Sequence, residues 1–330
     1  MTTPVLETRN LVKHYPTGHG FGHHPMVQAL NGVSLTLQPA EMLAIVGESG
    51  CGKSTLGRTV TRLEDPTSGE LLIDGTSADT MLAKEPMAFR RTVQMVFQDP
   101  FSSVNPRRKI GTTIADGLRL HRIAPRGERR DRVADLLATV GLSADYLERY
   151  PHELSGGQRQ RVAIARALAV EPRVIVCDEP VSALDVSIQA QVMNLLIELQ
   201  RERGVAYLFI SHDLALVLHT AHRIAVMYLG KVVEEGRTET LRRRLAHPYS
   251  RSLFAAAPRI GKSAAPATLV EGDVPSPIDP PSGCHFHPRC PFAVERCRKE
   301  SPEPRDFDGG RVACHRAEEI AVDNRDAIPA

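Results

Sequence analysis

Between residue 27 and about residue 255, short apolar runs of strand length alternate with longer segments of helical period. That alternation predicts an α/β domain built on a largely parallel sheet. Met42-Leu43-Ala44-Ile45-Val46 reads as a buried strand, and Lys53 to Leu63 as the helix that follows it. A second apolar strand, Val174-Ile175-Val176-Cys177, runs into two carboxylates, Asp178 and Glu179, and a third apolar run spans Ala206 to Ile210. Residues 110–169 are mostly helical in pattern. Beyond residue 255 the texture changes: ten of the 24 prolines fall between Pro258 and Pro304, so regular elements there must be short.

Composition narrows the classes open to such a chain. No stretch approaches the roughly eighteen uninterrupted apolar residues of a membrane span, and Met1-Thr2-Thr3-Pro4-Val5-Leu6-Glu7 lacks the basic and apolar regions of an export signal. The expectation is a cytoplasmic protein, with any transmembrane pathway supplied by other chains. A length of 330 residues with 42% hydrophobic content leaves room for one large α/β domain and an appendage. The balance of 41 basic against 39 acidic residues, net +2, gives no bulk footprint for nucleic acid. Arg242-Arg243-Arg244 is read as a solvated helix face.

Three motifs carry chemistry. Gly47-Glu48-Ser49-Gly50-Cys51-Gly52-Lys53-Ser54 matches G-x-x-x-x-G-K-[ST] at every fixed position, between a predicted strand and a predicted helix. Gly47, Gly50 and Gly52 let the loop curl so that backbone N–H groups, including those of Ser49 and Cys51, face a β-phosphate. Lys53 reaches the β/γ oxygens and the Ser54 hydroxyl suits Mg2+, with Thr55 beside it. Asp178 would hold the magnesium through water, and Glu179 would polarise the attacking water. Leu154-Ser155-Gly156-Gly157-Gln158 opens a helix with bare N–H groups at the positive dipole end, which suits a phosphate.

These motifs, with Ser182-Ala183-Leu184-Asp185 and Ile210-Ser211-His212-Asp213, together resemble the ATP-binding subunit of ABC transporters over roughly residues 5 to 255. The resemblance implies a P-loop NTPase core with a mixed sheet in a domain spanning 1–255. Within it, a helical subdomain at about 100–170 carries the LSGGQ run and docks membrane subunits. It implies that Tyr15 stacks on adenine, that Gln98 senses magnesium and contacts the membrane subunits, and that His212 holds the γ-phosphate. Asp185 would link the two ATP sites of a head-to-tail dimer, and Ser155, Gly156, Gly157 and Gln158 would cover the ATP of the partner. Only about a hundred residues separate the P-loop from LSGGQ, too few for the long coiled coils of DNA-repair relatives.

Four of the six cysteines, Cys284, Cys290, Cys297 and Cys314, lie within 31 residues of the Pro-rich region. Disulfides are disfavoured in a reducing compartment. The spacings x5, x6 and x16 lack the C-x2-C pairs usual for zinc, and an iron–sulfur cubane also takes four thiolates, so spacing alone leaves both open. His285, His287 and His315 stand nearby as alternative ligands. The three histidines of the insert Thr17 to Pro25 are read as loop residues.

Gln98 to Arg107, His247 to Arg251 and the tail from Pro280 resemble the oligopeptide/dipeptide importer branch of the same family, with Val104 where leucine is commoner. That resemblance implies a small irregular C-terminal Cys-rich domain at 256–330. It also implies a 4Fe–4S cluster on Cys284, Cys290, Cys297 and Cys314, with Zn2+ as the alternative. The implied partners are a second ATPase subunit, as a heterodimer, two transmembrane permease subunits and an extracytoplasmic peptide-binding protein. The chain itself would sit peripherally on the cytoplasmic face of the membrane. A same-branch importer of nickel, glutathione or another small solute, and more distantly a soluble non-transport ABC ATPase, are the alternative functions.

Overall fold

The computed structural model describes residues 3–18, 25–99, 105–256 and 272–322. Pro100 to Val104 and the insert histidines His19, His23 and His24 lie outside the described residues. In chain order the elements begin with β1 (Leu6–Pro16), β2 (Met26–Leu37), β3 (Met42–Val46), α1 (Lys53–Val60), β4 (Ser68–Ile73) and β5 (Thr76–Ser77). They continue with α2 (Ala78–Lys84), α3 (Pro86–Thr92), β6 (Val93–Val96), α4 (Ile110–Leu120), α5 (Arg129–Thr139) and α6 (Gly156–Leu168). Next come β7 (Val174–Asp178), α7 (Val186–Arg203), β8 (Ala206–Ile210), α8 (Leu214–Thr220), β9 (Arg223–Tyr228) and β10 (Lys231–Arg237). The chain closes with α9 (Thr238–Arg243), α10 (Pro248–Ala255), α11 (Glu295–Lys299), β11 (Arg305–Phe307), β12 (Gly310–Val312) and α12 (Ala317–Val322).

Two compact units emerge. The first comprises Met1–Glu7, Thr36–Glu41 and Leu72–Ile210. Its strands β6, β7 and β8 are parallel, with Val93 opposite Val174 and Val174 opposite Ala206. Every residue of β7 and β8 is buried, which explains why these strands read as continuous apolar runs rather than alternating ones. The helical stretch predicted at 110–169 is α4, α5 and α6 with two short 3-10 turns between them. Ile110, Ile114 and Leu118 recur at helical spacing on the buried face of α4, and Val133, Leu136 and Leu137 do so on α5. The 18-residue α7 stops at Gly204, which adopts φ +66° as the left-handed terminating residue.

The second unit comprises Thr8–Leu35, Met42–Leu71 and Ser211–Ala330. Here β3 and β9 are parallel, while β10, β12 and β11 add antiparallel strands in the order β11-β12-β10-β9-β3, which makes the sheet mixed as the resemblance implies. The two strands from the Pro-rich tail therefore extend the sheet that carries the P-loop, with Glu234 opposite Val312 and Glu235 opposite Arg311. Tight hairpins join β9 to β10 and β11 to β12, which dictates antiparallel pairing there, whereas β12 reaches β10 across the intervening α9, α10 and α11. Helix α1 is also shorter than the apolar pattern implied. It closes at Val60 because the Thr61 hydroxyl donates back to the Gly57 carbonyl at 2.9 Å and Arg62 turns left-handed at φ +55°. Among the described residues no helix is long and apolar enough to cross a membrane.

Candidate nucleotide site

The loop after β3 has a backbone that only glycine permits at three points. Gly47, Gly50 and Gly52 have φ of +155°, +79° and +106°. A Cβ on Gly47 would lie 2.2 Å from the Met227 carbonyl oxygen, and one on Gly52 would lie 2.2 Å from that of Ala29. The loop is thus pressed against β9 on one side and β2 on the other, with no room for side chains at these glycines. Lys53, 6% exposed, folds back so that Nζ donates to the carbonyls of Gly47 at 2.7 Å and Glu48 at 3.0 Å. Helix α1 starts from Gly52 without a side-chain cap, so its first N–H groups are left for an anion. Ser54 and Thr55 sit half-buried on its first turn, and Cys51 is buried beneath the loop, where desolvation raises its thiol pKa.

Two more sequence-predicted residues belong to this unit. Tyr15 is half-buried, its phenol donating to the Glu64 carboxylate with Thr55 also in hydrogen-bonding reach; burial and then the Glu64 bond push its pKa up to about 12. Its position beside Thr55 sets an aromatic face next to the P-loop helix. His212 is exposed and follows Ser211, whose N–H donates to the Ile45 carbonyl at 3.1 Å, two residues before Gly47.

In the first unit, Asp178 is the last residue of β7 and 4% exposed, and Glu179 begins the turn beyond it. Glu179 is held at φ +46°, an uncommon value for a side-chain-bearing residue, by its N–H donating to the Ile210 carbonyl at 3.0 Å. Gln98 Nε2 donates to Glu179 Oε2 at 2.9 Å, so two residues separated by 81 positions meet at one carboxylate oxygen. The Ser182 hydroxyl bonds the Glu179 carbonyl at 3.1 Å, and Gln189 Nε2 ties the carbonyls of Val181 and Leu184 at 3.1 and 3.0 Å. That bracing fixes the short loop from Glu179 to Asp185, which precedes α7.

The LSGGQ run opens α6 with a reciprocal capping box. The Gln158 N–H donates to Ser155 Oγ at 3.4 Å, the Ser155 N–H donates to Gln158 Oε1 at 3.0 Å, and Gln158 Nε2 donates to the Tyr146 hydroxyl at 2.7 Å. Ser155 and Gly156 are exposed. The glycines also have a packing role that the phosphate argument overlooks: a Cβ on Gly157 would stand 2.4 Å from Ile188 Cγ2, and one on Gly156 3.2 Å from Leu184 Cδ2.

Comparison with known proteins decides the family. Residues 30–182 match the ABC transporter family model, and residues 233–297 match the oligopeptide/dipeptide transporter C-terminal region. A di/tripeptide transport ATP-binding protein, DppF, of Pseudomonas aeruginosa (strain UCBPP-PA14) is 50% identical over 96% of this chain and 98% of its own length. This chain is an ABC transporter ATPase of the oligopeptide/dipeptide branch. An oligopeptide transport ATP-binding protein, AppF, of Bacillus subtilis (strain 168) is 46% identical over 94% of this ABC ATPase and 97% of its own length. A solved ATP-binding cassette, dimeric in a post-hydrolysis state with ADP and Pi, superposes with a TM-score of 0.62 at 31% identity, covering 71% of this chain and 98% of that one.

The tail of this ABC ATPase is built under the P-loop. Phe286, 1% exposed, meets Tyr228 edge-on at 5.2 Å and Tyr249 at 5.5 Å, and Tyr228 packs on Tyr249 at 4.7 Å. Cys284, Cys290, Cys297 and Cys314 line one small cavity of about 10 Å3 with His287 and His315. Gly283, at φ +67°, lets the Cys284 N–H reach the Cys297 carbonyl at 2.8 Å. Burial raises the Cys284 thiol and, with the neighbouring thiols adding to it, pushes Cys290 up to about 11 and Cys314 up to about 12.

Among the described residues no three His, Cys, Asp or Glu side chains stand close enough to hold one ion. The donor chemistry of the tail thiols fits a thiophilic centre, since four cysteines line one cavity.

Sequence reading missed Glu48, Tyr249 and Arg289, which meet at the P-loop. The Glu48 N–H donates to the Tyr249 hydroxyl at 2.8 Å, and Arg289 Nη1 donates to Glu48 Oε2 at 2.9 Å. A pair 241 residues apart leaves no local signal.

Proposed function

We propose that this chain is the ATP-hydrolysing subunit that powers uptake of di- or oligopeptides through an ABC importer. The P-loop carries the nucleotide part of that reading: a strand, three glycines in glycine-only conformations and a folded-back Lys53 are arranged for polyphosphate. Gly47, Ser49, Gly50, Cys51, Gly52 and Thr55 shape the cradle, with Tyr15 against the adenine. Lys53 exchanges its two carbonyl contacts for phosphate oxygens when ATP arrives. Ser54 would hold Mg2+ directly and Asp178 would hold it through water, and the cation, when bound, would neutralise charge on the β- and γ-phosphates. Glu179 accepts a proton from the attacking water, Gln98 orients the Glu179 carboxylate, and His212 contacts the γ-phosphate. Phosphoryl transfer needs little more than such positioning.

Ser155, Gly156, Gly157 and Gln158 act on the ATP held by a second ATPase subunit, and Asp185 couples the two sites. The exposed, box-capped start of α6, with Ser155 and Gly156 open to solvent, supports that role. Two permease subunits and an extracytoplasmic peptide-binding protein complete the transporter, with this chain on the cytoplasmic face of the membrane. Peptide cargo rests on the relatives named for peptide transport. Co-purifying the transporter and identifying what its binding protein holds tests it: peptides are expected, and nickel or glutathione in their place would overturn the cargo.

Cys284, Cys290, Cys297 and Cys314 would hold a 4Fe–4S cluster, or alternatively one Zn2+, as thiolates cross-linking the tail. The centre would supply structural linkage, and no step of hydrolysis passes through it. Anaerobic purification with iron, sulfide and zinc analysis decides: stoichiometric zinc without sulfide overturns the cluster, and absence of all three removes the centre.

A further inference from the structure

The Cys-rich tail meets the P-loop at one charged point. Arg289, directly before Cys290, addresses Glu48 with both arms of its guanidinium: Nη1 donates to Oε2 at 2.9 Å and Nη2 to Oε1 at 3.2 Å. Its side chain is 9% exposed against 32% for Glu48, so solvent screens little of the cation. The guanidinium carbon lies 5.9 Å from the Tyr228 ring centre and 6.0 Å from that of Phe286. Among the described residues the buried Nε of Arg289 has no hydrogen-bond partner. A planar fork that leaves one buried donor unpaired while addressing both oxygens of one carboxylate is oriented for that carboxylate. Glu48 is the second residue of the P-loop, and its backbone is engaged too: its N–H donates to Tyr249 and its carbonyl accepts from Lys53.

We propose that Arg289 is a positioning residue for the phosphate-binding loop, acting through Glu48, so that the Cys-rich tail is a working part of the nucleotide cradle. The inference rests on the reading of Gly47 to Ser54 as the phosphate site. Two physical effects combine. The bidentate contact, with the Tyr249 bond, holds the loop in its cradle shape before nucleotide arrives, lowering the ordering cost of binding. The cation also neutralises a carboxylate set in the loop that must receive a polyphosphate. Without Arg289, Glu48 is an uncompensated anion beside that polyphosphate.

The test is a titration of the full chain with a fluorescent ATP analogue. Arg289→Ala raises the Kd at least about ten-fold, while Arg289→Lys, which keeps the charge but loses the fork, falls between it and wild type. Adding Glu48→Gln to Arg289→Ala recovers most of the loss, because the stranded charge is gone. Arg296→Ala is the control, since Arg296 pairs with exposed Glu300 on the same tail, and it leaves the Kd unchanged. An unchanged Kd in Arg289→Ala overturns the proposal. So does a loss that persists in the double variant, which is what a purely structural role in the tail gives. A Lys53→Ala variant that binds as tightly as wild type overturns the phosphate-loop reading, and the proposal with it.

Discussion

Replacing Gly52 by alanine asks the P-loop to accept one methyl group. The residue sits at φ +106°, outside the left-handed basin, so a Cβ costs about 1–2 kcal/mol in backbone strain. That Cβ would also lie 2.2 Å from the Ala29 carbonyl oxygen, a contact with backbone that no rotamer relieves, adding about 1–3 kcal/mol of overpacking. A total near 3 kcal/mol translates into a fall of roughly 6–12 °C in melting midpoint for a domain of this size. Gly50→Ala is the internal comparison: at φ +79° with nothing within 4 Å of its Cβ, it carries the strain without the clash. Its midpoint should fall by roughly 4 °C. Thermal melts of the nucleotide-free proteins, followed by circular dichroism, measure both. Equal shifts for the two variants would refute the claim that the Ala29 carbonyl, rather than glycine's torsional freedom alone, dictates Gly52.

Gly157→Ala should cost about 1–3 kcal/mol through its overlap with Ile188 Cγ2, and Ile188→Ala in the same chain should restore much of the loss; urea melts that show no recovery would remove the packing role assigned to this glycine. Ser155→Arg should leave nucleotide affinity of the isolated chain unchanged yet block ATP-dependent pairing with the second ATPase in size-exclusion runs, and loss of affinity in the isolated chain would defeat the in-trans assignment. Buried Glu234, raised to about 7 by desolvation, stays protonated after its unfolded counterpart ionises, so its stabilisation is full below pH 4.5 and declines as pH climbs to 7. Buried His247, lowered to about 3, has the opposite slope, with stability lost as pH falls below 6.5. Glu234→Gln should therefore make stability rise with pH between 4.5 and 6.5 by up to about 1.4 kcal/mol per unit relative to wild type; denaturant midpoints with an unchanged pH slope would contradict this.

The nucleotide chemistry was legible because it is local. Strand, glycine loop and helix are contiguous around Lys53, and an apolar strand ending in Asp178-Glu179 announces itself by residue type. The parallel strands β7 and β8 were equally plain, since burial on both faces leaves an apolar run. What stayed hidden depends on long-range pairing. Nothing near Arg311 says that β12 will lie against Glu235 and extend the P-loop sheet, or that Phe286 will pack against both Tyr228 and Tyr249. The Gly157 contact with Ile188 was masked by a functional explanation that accounted for the same glycine. The four cysteines were found by count, yet the cavity they line with His287 and His315 depends on how the tail folds, which spacing does not encode.

The most direct test of the account is peptide uptake by the complete transporter in proteoliposomes, with its binding protein outside and ATP on the side of this chain. The wild-type complex should accumulate peptide and hydrolyse ATP together. Glu179→Gln should still bind ATP while both rates fall by about 100-fold or more, as expected when a positioned general base is removed. Near-normal uptake and ATPase in that variant would contradict the claim that this chain drives import through hydrolysis at Glu179.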